Sequence, residues 1–127
     1  MLLYVVEAVV PILAIQLVWA GRLALRKEKE RHKRIAAIHA SSMWASYLLV
    51  WGLIMLGQTM KGNAARWIVE THLVIIYIIP ALLVFMMATG LKGIRKPHMA
   101  LAALYVVLWS AALVTGAMIF LSHRGFI

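Results

Sequence analysis

Four long apolar stretches, separated by short polar interruptions, set the pattern of this chain. The first runs from about Leu2 to Leu25, the second from about Ile35 to Met60. The third runs from about Trp67 to Thr89, the fourth from about His98 to Leu121. Each reaches the roughly 20 residues that a membrane-crossing helix needs. The pattern predicts an all-α protein, a single integral membrane domain built as a four-transmembrane-helix up-down bundle.

Helical spacing gives two of the spans an inner face. In the second, His39, Ser42, Ser46 and Leu49 or Leu53 share one side. Gly52 and Gly57 there are expected to let a neighbouring helix approach. In the fourth, a stripe of His98, Ala102, Tyr105, Trp109, Ala112 and Gly116 recurs at four- and three-residue intervals. Pro11 and Pro80 fall inside spans, where neighbouring groups can re-satisfy the freed backbone carbonyl. Pro97 suits a helix start. No internal repeat or low-complexity segment stands out.

Composition agrees with the pattern. The chain has 127 residues and is 65% hydrophobic, against roughly 45–50% in a soluble domain. Its mean hydropathy is +0.92. The N-terminus lacks the basic region and cleavage site of a signal peptide, so it reads as a retained span.

Charge adds direction. The segment Arg26–His39, RKEKERHKRIAAIH, is the one strongly charged stretch. It is helix-friendly and is expected to extend the spans beside it past the lipid. With Arg22, this segment and the Gly90–Pro97 loop carry ten of the 13 basic residues. The positive-inside rule makes both loops cytoplasmic and both termini external. The Lys61–Arg66 loop is then external too. The net charge of +9 reflects this topology and does not point to nucleic acid.

The chemistry available is narrow. There is no cysteine and no aspartate, and Glu7, Glu28, Glu30 and Glu70 are the only acids. Thiolate chemistry is excluded, and paired-carboxylate hydrolysis has almost no raw material. Serine-hydrolase, phosphate-loop, dinucleotide and HExxH patterns are absent. Five histidines remain. Within membrane spans, histidines mark cofactors, ions or proton paths.

His39 lies about 7 Å below Arg34, and His98 about 3 Å past Lys96. Two histidines at similar depth on facing helices suit a six-coordinate haem b iron. His32, seven residues before His39, can replace it as ligand or bind a propionate. Tyr105 and Trp109 either line a porphyrin pocket or anchor the interface. Histidines snorkelling to water are the plainer alternative. His72 lies about 9 Å inside the outer face. With Glu7, and with Met60 and Met118 as soft neighbours, it forms a candidate outer metal site for copper, zinc or iron. Alternatively, His72 ligates a second haem, or hydrogen-bonds Glu7 and merely buries two polar groups.

These residues resemble a known family. THLVIIYIIP at residues 71–80 has a histidine eight residues before a proline. Lys96 precedes His98, Trp109 follows eleven residues later, and VTG closes at Val114–Gly116. HKRIAA after the basic run also matches. Over roughly residues 70–121 the chain resembles the YozB/CtaM-like family of small four-helix, multi-histidine membrane proteins. The resemblance implies a bacterial or archaeal inner-membrane protein that assists haem-copper terminal oxidases, handling haem or a metal. It implies His32, His72 and His98 as functional histidines, while His39 has no place in the pattern. Two other readings stand beside it. One is a small b-type cytochrome passing electrons from quinol to a partner. The other is a structural subunit of a membrane complex without cofactor. A conventional enzyme is not expected.

Overall fold

The computed structural model describes residues 2–57 and 64–127. Among these, the chain is all-helical. Helix α1 spans Leu2–Leu25, α2 Lys29–Met55, α3 Arg66–Leu91 and α4 Arg95–His123. All four are long and apolar enough to cross a membrane, which fits a multi-pass membrane protein. Met60 and Lys61, named above at the end of the second span and in the loop after it, lie outside the described residues.

Helix α1 has its predicted limits. The second and fourth helices start earlier than their apolar stretches. Helix α2 begins at Lys29, inside the charged segment. Lys, Arg and Glu are good helix formers, and the segment pairs its own charges. Arg31 meets Glu28 at 2.8 Å and Lys33 meets Glu30 at 3.1 Å. Glu30 also sits in the first turn, where a carboxylate favours the helix dipole. Helix α4 begins at Arg95, so Pro97 is in its first turn. The N–H that proline lacks has no intrahelical acceptor there.

The chain divides into two compact units. One holds α1 packed on α2, and the other holds α3 packed on α4. In the first hairpin, α1 buries Leu13, Ala20 and Leu23, and α2 buries His39, Ala40 and Leu53. Leu49 is exposed, so the inner face of α2 continues through Leu53. In the second hairpin, α3 buries Ile68, Ile75, Ile79, Leu82 and Leu83. Helix α4 answers with Tyr105, Trp109, Thr115 and Ser122. The stripe predicted for the fourth span is the face turned to α3. Large apolar side chains such as Ile15, Phe85 and Val107 point outward, as lipid solvation permits.

Both hairpins turn in three residues, by the same device. In the first, the Lys27 N–H bonds the Ala24 carbonyl and the Glu28 N–H bonds that of Leu23. In the second, Gly93 bonds Gly90 and Ile94 bonds Thr89. This crossed pair of bonds needs a left-handed residue after the helix. Lys27 and Gly93 hold it, at φ 59° and 69°. A shift of 66 residues carries both of these bonds of the first turn onto their counterparts in the second. The same shift aligns HKRIAAIH, from His32, with HMALAALY, from His98. The chain therefore does contain an internal repeat. Only a few identities carry it, diluted among interchangeable apolar residues, and so it does not stand out in the sequence.

Candidate functional site

The turn fixes the first candidate side chain in each hairpin. His32 lies five residues past Lys27, and His98 five residues past Gly93. Each ring reaches back across the turn to the preceding helix. His32 Nδ1 lies 2.9 Å from the Ala20 carbonyl, and His98 Nδ1 lies 2.9 Å from that of Met86. These bonds are also related by the 66-residue shift. A carbonyl oxygen only accepts, so Nδ1–H donates in both. In the neutral ring the lone pair is then on Nε2. A metal-ligating histidine is commonly oriented in this way, with its other ring nitrogen bonded to a carbonyl.

His72 reaches the same tautomer by another route. Its Nδ1 lies 2.9 Å from Thr115 Oγ1 on α4. The Thr115 hydroxyl donates to the Ala111 carbonyl at 2.8 Å, so its oxygen accepts from His72. Thr115 is buried and His72 half-buried. Glu7, also half-buried, stands on α1 of the first hairpin. Within its own hairpin, His72 is held by Thr115 and by the Ala112 backbone, both on α4.

Glycines make room for both rings of the second hairpin. A Cβ built on Gly116 would lie 3.1 Å from His72 Cε1. One built on Gly90 would lie 3.0 Å from His98 Cε1. Each imidazole packs against bare backbone of the opposite helix. The glycines picked from the sequence for this role, Gly52 and Gly57, have nothing within 4 Å of such a Cβ. Gly57 instead serves a left-handed position after α2, at φ 79°.

His39 is in the interior of its hairpin, 2% exposed. Its counterpart in the repeat is Tyr105, 0% exposed. Trp109, one turn on, is also buried. Tyr105 and Trp109 thus fill the contact between α3 and α4. Near His39, α1 and α2 share a polar pair that sequence reasoning missed. Gln16 Nε2 donates to Ser42 Oγ at 3.2 Å, and Ser46 Oγ donates to the Ser42 carbonyl at 2.6 Å. The lone glutamine in α1, opposite a serine-bearing face, was its signal.

Within the second hairpin the two candidate histidines stand at opposite ends. Gly116, which faces His72, is 18 residues beyond His98, about 27 Å along the helix. Arg66 pairs with Glu70 at 2.6 Å, so Glu70 is engaged two residues before His72. Among the described residues, no three His, Asp or Glu side chains converge on one metal-sized point. No protein-family model, no curated protein and no solved structure matches this chain.

Proposed function

We propose that the chain is a membrane accessory protein of aerobic respiration in a bacterial or archaeal inner membrane. It binds haem, or alternatively copper or zinc, through its intramembrane histidines and works with a haem-copper terminal oxidase during assembly or as an associated component. The observation that supports ligation is the shared bond of His32 and His98. Each ring donates Nδ1–H to a backbone carbonyl twelve residues upstream, which presents Nε2 as the basic nitrogen. His72, with Thr115 as its acceptor, matches that state. These three histidines are also those that the family resemblance implies, and the resemblance alone supports the oxidase link. The basic turns support an orientation with both turns cytoplasmic and both termini outside.

The donor set suits a haem or a borderline metal, since neutral imidazole serves either. A haem held this way supplies one-electron exchange. The chain's own groups orient the rings and offer Arg34 and Lys96 to acidic groups of the ligand, Arg31 and Lys33 being paired with Glu28 and Glu30.

A second reading is a small cytochrome that moves electrons across the membrane between quinol and a partner. It is favoured by the separation of His98 and His72 toward opposite ends of one hairpin. The optical spectrum of the purified protein tests both. A reducible Soret and alpha band, lost in His98→Ala, is expected for haem. Reduction by a quinol analogue singles out the cytochrome. A colourless protein with stoichiometric copper or zinc supports metal handling. A preparation with neither overturns the proposal and leaves a structural subunit.

A further inference from the structure

A shallow groove of about 460 Å³ runs along α1, lined by Ala14, Ile15, Val18, Trp19 and Arg22. Its lower part is apolar and open, with Ile15 66% and Val18 63% exposed. Trp19 lies next, half exposed. Arg22, in the last turn of α1, closes the top about 4.5 Å above it. At 100° per residue, Ile15, Val18, Trp19 and Arg22 fall on one side of the helix axis, and Arg26 follows in the turn with its N–H bonded to the Arg22 carbonyl. The order along that side and into the turn is hydrocarbon, indole, guanidinium, guanidinium.

We infer that this face binds an anionic phospholipid. The acyl chain lies along Ile15 and Val18. Trp19 sits at the headgroup boundary, where indole is favoured. Arg22 and Arg26 hold the phosphate, Arg22 with bidentate geometry available to it. The charge complementarity is local. Glu28 and Glu30 are occupied by Arg31 and Lys33. Among the described residues, Arg22, Arg26 and Lys27 form no ion pair. The partial negative charge at the end of α1 is opposed by the positive end of α2, three residues away. A membrane supplies the occupant at high local concentration, and clusters of cations beside a span favour acidic headgroups.

The repeat provides an internal control. A shift of 66 residues places Phe85 at Trp19 and Ala88 at Arg22. The second hairpin keeps the apolar face and a cation at Lys92, in the place of Arg26, and loses the indole N–H and the cation next to it. Binding is therefore expected at the first hairpin and not at its copy.

Native mass spectrometry of the full chain, titrated with phosphatidylglycerol or phosphatidylcholine, tests the inference. The wild type should retain phosphatidylglycerol preferentially. At about 1 kcal/mol per interfacial cation, Arg22→Gln with Arg26→Gln should weaken that retention about thirtyfold. Lys92→Gln with Arg95→Gln removes the same charge from the second hairpin and should leave retention unchanged. Arg22→Gln alone should show about a fivefold loss by the same arithmetic, should the double variant not fold. Equal losses in the two charge-matched variants, or no preference for phosphatidylglycerol in the wild type, overturn the site. Displacement of the lipid by millimolar inorganic phosphate also overturns it, because the acyl chain then contributes nothing.

Discussion

Where the first hairpin buries His39, the second buries Tyr105, and both side chains are almost inaccessible. Where the first has His32, the second has His98, with the same tautomer-fixing bond. The repeat thus separates two kinds of histidine. The deeper position holds a different buried ring with a polar edge in each hairpin, which fits a packing role. The position beside the turn has an imidazole bonded to a carbonyl in both hairpins, as the proposed ligand role would require. The other polar groups are not repeated. Gln16 and Ser42 have Leu82 and Leu108 as counterparts, while His72 and Thr115 correspond to Val6 and Leu49.

The largest test of this contrast is ligand loss. His32→Ala and His98→Ala should each reduce retained haem or metal by more than about tenfold. His39→Phe should leave most of it bound. Cofactor content per chain, measured after purification, decides the matter. Retention in His32→Ala with loss in His39→Phe would break the equivalence.

Next in size are the glycine contacts. Gly116→Leu should push the His72 ring aside and cost ~1–3 kcal/mol, read as a lowered Tm in detergent. Val50→Leu, at the corresponding site of the first hairpin, should be nearly silent. A similar loss from both substitutions would mean that Gly116 is not there for His72.

Thr115→Val leaves the His72 Nδ1–H without its hydroxyl acceptor, a cost of ~1–3 kcal/mol for a buried donor. Nitrogen-15 NMR of labelled histidine should show the His72 Nδ1 resonance shifting while that of His98 does not, the Ala112 backbone remaining as a partner of the His72 ring. Identical His72 resonances in wild type and variant refute the assigned bond.

The smallest effect concerns the turns. Lys27 carries a side chain in the left-handed region, which costs ~1 kcal/mol or more. Lys27→Gly should raise Tm, and Gly93→Lys should lower it by a similar step. If both are neutral, the two turns differ more in solution than their hydrogen bonds imply.

The helices were legible because lipid demands long apolar runs, and four such runs leave little freedom. The start of α2 was less so. Hydropathy reports where lipid ends, whereas the helix continues through RHKRI on the strength of propensity and its i,i+3 pairs. Of the candidate site, the histidines themselves were visible, being rare. Their acceptors were not. Backbone carbonyls such as Ala20 and Met86 have no side-chain signature. Thr115 was noted only through a resemblance and Gly116 also as part of the fourth-span stripe, neither with the ring it supports. The repeat was hidden for a related reason. In hydrocarbon, Ile, Leu and Val exchange freely, so the shared signal shrinks to one histidine, two alanines and a turn.

The three-residue turns also bear on how the chain is made. Closing so short a loop costs little chain entropy. Contacts between sequence-adjacent helices are local and form fast. α1 and α2 can pair as soon as α2 has been synthesised, before α3 exists. His32 then meets the Ala20 carbonyl at the start of assembly. The first imidazole is set in its tautomer while half the protein is still to be translated.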